Sequence, residues 1–157
     1  MDLVIYFLLF ILAFVGMEFV AWITHKYVMH GWLWSLHKDH HTGSNHTLEH
    51  NDWFSFIFAI PSFIFIFFGF MFQVYSIVAI GFGMTAYGVA YFVVHDIFIH
   101  QRIKLFRNVD NNYLRVLRRA HKLHHKHLQK EEGESYGFLF VNKKYYDMDK
   151  NSLLDSK

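Results

Sequence analysis

Residues 53–94, WFSFIFAIPSFIFIFFGFMFQVYSIVAIGFGMTAYGVAYFVV, contain no charged side chain of either sign. One helical membrane crossing takes about 20 apolar residues, so this run is long enough for two. Gln73–Ser76, its only locally polar patch, is where a hairpin would turn. Upstream, Leu3–Ile23 is a third apolar stretch, free of Lys and Arg. Composition agrees: 54% of the 157 residues are hydrophobic, 20% are aromatic and 19 are Phe, too apolar for a soluble domain of this length. Buried helices of a soluble protein would be the alternative, and the uncharged run argues against it. A cleaved signal peptide is a second alternative for the first stretch. It lacks a basic n-region and an A-x-A site, and Glu18 interrupts it. Pro61 is an expected kink that neighbouring helices absorb. Gly81, Gly83 and Gly88 superficially suggest a phosphate loop, but with no Lys and no strand beside them they read as close helix packing.

The basic residues lie outside these runs. Of the 15 Lys and Arg, Lys26 and Lys38 follow the first stretch and the remainder begin at Arg102. Three crossings put both regions on one face of the membrane, and the positive-inside rule assigns that face to the cytoplasm. The net charge of +2 is modest, and no nucleic-acid partner is expected. With no cysteine, the chain has neither thiolate-bound zinc nor a Cys-ligated iron–sulfur cluster.

The same two regions hold all 13 histidines. Ten fall into a pattern that occurs twice: His25/His30 (H-x4-H) with His37/His40/His41 (H-x2-H-H), then His95/His100 with His121/His124/His125 in the same spacings. On an α-helix, residues advance about 100° each. H-x2-H-H therefore gathers three imidazoles within about 100° on one face, where they grip one metal or share two. H-x4-H separates its rings by about 140°, which suits one ion poorly unless the helix unwinds at the membrane surface or each ring serves a different metal. A single histidine is usually an ordinary polar contact. Ten in duplicated clusters beside lipid read as ligands, since neutral imidazole binds Fe, Cu, Ni and Zn. His46 and His50 read as loop residues or a supporting pair, and His127 as a surface residue.

Ligating imidazoles usually donate their second N–H to a carboxylate or carbonyl. Asp39, Asp96, Glu49 and Asp52 are the nearby acids, with helix capping as the rival role for each. Glu18, inside the first span, would hold a histidine, line a substrate route or bond between helices. Trp22, Trp32, Trp34, Trp53, Phe92 and Phe98 line such a route or face lipid. The expected fold is thus an all-α integral membrane protein with about three to four transmembrane helices and a cytoplasmic histidine-rich helical cap holding a di-metal site. It is a single unit over residues 1–157, with spans at about 3–24, 53–72 and 75–94, histidine-rich segments at 25–52 and 95–141, and a polar, mobile tail at 142–157. Within the cap, Thr42–Asn45 reads as a turn. Asn108 or Asp110 would cap a helix from about Asn111 to Leu128, and Tyr136–Val141 would dock against the cap or the membrane surface.

The run H-x4-H-x6-H-x2-H-H from His25 to His41, followed by H-x4-H-x20-H-x2-H-H from His95 to His125, resembles the bacterial β-carotene hydroxylases of the fatty-acid hydroxylase and sterol desaturase superfamily. Leu48-Glu49-His50-Asn51-Asp52, His95-Asp96 through His100-Gln101-Arg102, Arg118-Arg119-Ala120-His121-Lys122-Leu123-His124-His125 and Ser135-Tyr136-Gly137-Phe138-Leu139 are similar to words of that family. The resemblance covers roughly Glu18 to Val141. Residues 43–47 and 126–132 depart from it in being more polar and richer in histidine. It implies O2-dependent hydroxylation of the β-ionone ring at C3 by a monooxygenase with two iron ions, for which zinc substitutes in purified protein. The implied partners are a carotenoid drawn from the bilayer, membrane lipid, and a ferredoxin or similar electron donor. It also implies a multi-pass enzyme of the cell's inner membrane. A fatty-acid or sterol hydroxylase or desaturase is the nearest alternative. A metal transporter would need histidines inside the spans, and a haem cytochrome would need pairs facing across them.

Overall fold

Hydrocarbon offers no partner for a backbone N–H or C=O, so apolar spans close their hydrogen bonds internally as helices. The computed structural model describes residues 2–43, 48–106, 111–131 and 133–154, without the side chains of 151–154. Among these, the apolar runs form α1 (Asp2–Ile23), α3 (Trp53–Met71) and α4 (Tyr75–Tyr91). With their helical extensions, Asp2–Trp32, His50–Met71 and Tyr75–Ile99 are each long and apolar enough to cross a membrane. The described residues contain helices and loops only, as an all-α membrane protein requires.

α4 packs against both α1 and α3, which share no extensive interface of their own among the described residues. Glycines permit the two crossings. A Cβ on Gly81 would lie 2.7 Å from Ile66 Cγ1 and 3.0 Å from the Ser62 carbonyl on α3, whereas one on Gly83 would meet the Phe10 carbonyl and lie 2.8 Å from Ala13 Cβ on α1. Close backbone approach is thus what Gly81 and Gly83 supply; Gly88, where an added Cβ meets nothing within 4 Å, is not a packing contact. The α3–α4 turn passes through Gln73, at φ 57°. Phe7, Leu12, Phe63 and Phe67 lie on exposed outer faces, the surface that a lipid solvent accepts.

At the opposite end from that turn, α1 and α4 each run into a π-helical segment, Thr24–Trp32 and Phe92–Ile99. The first ends in a kink at Gly31 and leads into α2 (Trp34–Thr42). A short 3₁₀ turn, His50–Asp52, opens α3 through a reciprocal cap between Glu49 and Asp52. After the second π segment come α5 (Asn112–His124) and α6 (Lys143–Leu154). Asn111 caps α5, its side chain accepting from Leu114 N at 3.2 Å; Asn108 and Asp110 lie outside the described residues, as do Ser44 and Asn45 of the expected turn. α5 ends at His124, four residues before Leu128. Most of the polar tail, Lys143–Leu154, forms a helix that the sequence reading did not anticipate. α6 buries Tyr145 against Val116 and Ala120 and places Asp149 3.2 Å from Arg115 Nη2 and 3.5 Å from Arg119 Nη2. Tyr145 and Asp149, four residues apart, share one face of that helix.

Glu18 ties the cap to the spans. Its Oε1 accepts from the backbone N–H groups of Phe138, Leu139 and Phe140 at 2.8, 2.8 and 3.1 Å, while Oε2 accepts from the Tyr87 hydroxyl at 2.7 Å. Successive N–H groups converging on one oxygen form an anion-binding nest. It docks the Tyr136–Val141 segment onto α1 and α4, where Phe138 packs with Met17 and Tyr87. Glu18 touches no histidine through these bonds; its role is inter-element hydrogen bonding. Buried donors left without an acceptor cost about 1–3 kcal/mol each. Glu18→Ala is therefore expected to lower stability by about 3 kcal/mol or more and to expose residues 136–140 to protease. Glu18→Gln, which retains one acceptor oxygen, should do less. Tryptophan-monitored unfolding and limited proteolysis in detergent check this, and an unchanged midpoint for Glu18→Ala would refute the anchoring role.

Candidate metal centre

The π segments resolve the awkward H-x4-H angle. In a π-helix the backbone bonds from i to i+5, which brings residues five apart onto one face. His100 N donates to His95 O at 2.9 Å in this manner, and Leu33 N to Val28 O at 2.9 Å. His25 and His30 consequently stand with ring centroids 5.2 Å apart, and His95 and His100 4.5 Å apart. Gln101 closes the second segment in a left-handed conformation, φ 58°. Its amide donates to the freed carbonyls of Ile97 and Phe98 at 3.3 and 2.7 Å.

The rings assemble into two groups whose nearest nitrogens lie within 4.8 Å of one another: His25, His30, His37, His41 and His124 in one, and His40, His95, His100 and His121 in the other. His125 joins neither by that distance, yet its Nε2 stands 2.8 Å from His121 Nε2. Each half of the chain thus builds most of one group and lends the middle histidine of its H-x2-H-H to the other: His40 crosses one way and His124 the other.

The outward bonds of the rings decide what faces inward. Nδ1 of His25, His30, His41 and His124 donates to the backbone carbonyls of Tyr136, Lys130, His127 and Glu134 at 3.0, 3.1, 2.9 and 2.8 Å. His37 Nδ1 donates to Asn51 Oδ1 at 2.7 Å, His40 Nδ1 to Glu49 Oε2 at 2.8 Å and His95 Nδ1 to Asp96 Oδ2 at 3.3 Å. A neutral imidazole with its proton on Nδ1 carries only a lone pair on Nε2. The Nε2–Nε2 approaches of His25–His37, His37–His41 and His30–His124, each 3.2 Å, are then pairs of lone pairs facing each other. At a metal–nitrogen distance of about 2.0–2.1 Å, adjacent ligand nitrogens stand roughly 2.9–3.4 Å apart, which these separations match. His40 Nε2 is buried with no hydrogen-bond partner, an orphaned acceptor that a cation would satisfy. The donor set fits a metal centre.

Burial, reinforced by the repulsion neighbouring imidazolium charges would exert, opposes protonation of several of these rings. It pushes His37 down to about 2, His100 and His124 to about 3 and His41 to about 4. His40, His121 and His125 are also driven far below the ordinary histidine value. The lone pairs therefore remain available at neutral pH.

Among the acids singled out from sequence, Glu49 and Asp96 support histidines, Asp52 pairs with Arg102 at 2.7 Å, and Asp39 accepts from His50 Nδ1 at 2.9 Å on the exposed surface. His46 lies outside the described residues. His127 contributes its carbonyl. Sequence reasoning missed Asn51 and Arg102 as supporting residues, although both lie inside motifs it quoted. It also missed the four backbone carbonyls, for which side-chain identity carries no signal. A cavity of about 430 Å³ leads from between the spans to His25, His95 and His121. Of the six aromatics proposed to line such a route, Phe92 does so.

The family described as Fatty acid hydroxylase matches residues 10–143. A β-carotene hydroxylase of Pantoea ananas is 41% identical over 127 residues, covering 81% of this chain and 72% of that protein. One from Pseudescherichia vulneris is 40% identical over 136 residues, covering 87% and 77%, and one from Paracoccus sp. strain PC1 is 35% identical over 153 residues, covering 94% and 93%. No solved structure matches the chain. Twinned histidine groups at the ends of apolar spans, and a family match over most of its length, identify the chain as a member of the fatty acid hydroxylase family.

Proposed function

We propose that this enzyme hydroxylates the β-ionone ring of a carotenoid at C3, taking β-carotene to zeaxanthin through β-cryptoxanthin. In this reading O2 is the oxidant, a ferredoxin-like protein is the electron donor, and two iron ions are held by His25, His30, His37, His40, His41, His95, His100, His121, His124 and His125. Bound there, the ions would supply dioxygen activation for attack on an unactivated C–H bond, which offers no acidic proton or electrophilic carbon to side-chain acids and bases. The site belongs, in this proposal, at the cytoplasmic face of the inner membrane, in keeping with the positive-inside distribution of Lys and Arg.

The observation that carries the substrate reading is the cavity. Met17 and Ala21 of α1, Phe58 of α3, and Met84, Thr85 and Gly88 of α4 line it, so its walls lie at bilayer depth while its inner end reaches the histidines. Its volume falls in the range of about 300–1,000 Å³ typical of small-molecule sites, which suits a terminal ring with the polyene left in lipid. The sparse interface between α1 and α3 supplies a lateral way in. Three of the cavity's hydroxyls are already committed: Ser62 Oγ donates to Ala59 O at 2.8 Å, Thr85 Oγ1 to Gly81 O at 2.9 Å and Tyr87 to Glu18 Oε2 at 2.7 Å. At those positions the wall accepts a hydrocarbon without stranding a donor. Carbonyl and carboxylate partners fix the rings beside it, and burial excludes water from the reacting end.

Two substitution sets test the proposal in a β-carotene-producing host, with pigments separated by chromatography. Replacing any one of His37, His40, His41, His121, His124 or His125 by Ala is expected to abolish hydroxylation while membrane insertion persists. Near-full turnover by a variant would remove that residue from the ligand set. Unchanged carotene with altered fatty acids in cells carrying the unsubstituted enzyme would transfer the assignment to another lipid hydroxylase or desaturase.

The second set concerns Gly88, where an added Cβ meets nothing within 4 Å. Gly88→Leu should fill the cavity without disturbing helix packing and cut turnover at least tenfold at unchanged metal content. Undiminished turnover would show that the ring lies elsewhere.

A further inference from the structure

The two groups of rings are backed by different chemistry. Around His25, His30, His37, His41 and His124, the outer acceptors are four backbone carbonyls and an amide oxygen, all neutral. In the other group, His40 and His95 donate to the carboxylates of Glu49 and Asp96. A single guanidinium joins these acids. Arg102 Nη2 lies 2.8 Å from Glu49 Oε2, Nη1 2.7 Å from Asp52 Oδ1 and Nε 3.3 Å from Asp96 Oδ1. Its own backbone N–H donates to Asp96 O at 3.0 Å, so the turn at Gln101 brings the side chain back over the ring supports. Three carboxylates against one guanidinium leave a formal charge of −2 beside this group. The orphaned, buried His40 Nε2 points from the same cluster.

We propose that Arg102, as a positioning residue, holds Glu49 and Asp96 against His40 and His95, making the position bounded by His40, His95, His100 and His121 the tighter of two metal positions. This rests on the metal-centre reading above and deepens it. A carboxylate accepting from Nδ1–H raises the basicity of the imidazole and fixes its plane, and loss of such a partner typically costs 10–100-fold in metal affinity. The added negative charge favours a dication at short range in a buried setting. Carbonyls orient the other group equally well but add no net charge. Arg suits the hub because its planar fork serves several carboxylate oxygens at once, which an ammonium cannot do in fixed geometry.

The test is a chelator challenge on full-length protein in detergent, loaded with Co(II), with bound metal counted by mass spectrometry and followed by visible absorption. Two ions per chain leaving in a fast and a slow phase are expected. Glu49→Gln and Asp96→Asn, which preserve shape, should accelerate the slow phase about 10–100-fold, shift the spectrum of that ion alone and leave the fast phase unchanged. Arg102→Lys should fall between them and the unsubstituted protein. Asn51→Leu should alter the fast phase only. Equal acceleration of both phases by the acid variants, or none at unchanged folding, overturns the inference while leaving the metal centre in place. Failure of the unsubstituted protein to retain more than trace metal overturns both.

Discussion

A histidine that donates one ring N–H outward has only a lone pair to offer inward. In this protein seven rings are turned this way by identified acceptors, and three of the resulting nitrogen pairs face each other at 3.2 Å. Facing lone pairs repel, and the rings that carry them are buried or half-buried. The rest of the fold supplies the restraint that holds them there. Two π segments set the ring register, the chain from His127 to Tyr136 brings the carbonyls, and the Glu18 nest moors the end of that chain to α1 and α4. A cation coordinated by the lone pairs would convert this opposition into attraction.

The division of rings between the groups has its own physical meaning. Because His40 and His124 are exchanged, neither histidine block supplies a whole group alone, and the groups assemble where both blocks meet over the ends of α1 and α4. Coordination by these rings would therefore report on the packing of the spans. The three apolar helices, with an odd number of crossings, bring the two blocks to one end.

The sequence made part of this legible. The uncharged run and the placement of Lys and Arg carried the number of spans, because transfer of charge into hydrocarbon is costly whatever the tertiary context. The H-x2-H-H spacing carried one face of a helix, which α2 and α5 display. H-x4-H was ambiguous because its reading assumed α-helical register, whereas the extra residue per turn in a π-helix is set by long-range packing. The Asn111 cap was displaced from its expected neighbours by one to three residues. α6 escaped notice because its apolar face is short, resting on Tyr145 with Asp149 paired to two arginines on another helix. Glu18 was conspicuous as an acid among apolar residues, but its partners are the Tyr87 hydroxyl and backbone N–H groups of Phe138, Leu139 and Phe140, and no spacing rule reaches that far.

Apart from the Tyr136 ring, which packs on His25, His30 and His124, the described residues between His127 and Tyr136 serve the five-ring group through main-chain oxygen. Exchanging their side chains leaves the acceptors in place so long as the backbone path is kept. Deleting one residue has another effect: between the fixed ends at α5 and the Glu18 nest, it moves every later carbonyl out of phase with its imidazole. Selection acting on this loop would therefore guard its length while allowing its spelling to drift, a pattern in which insertions and deletions are rarer than substitutions.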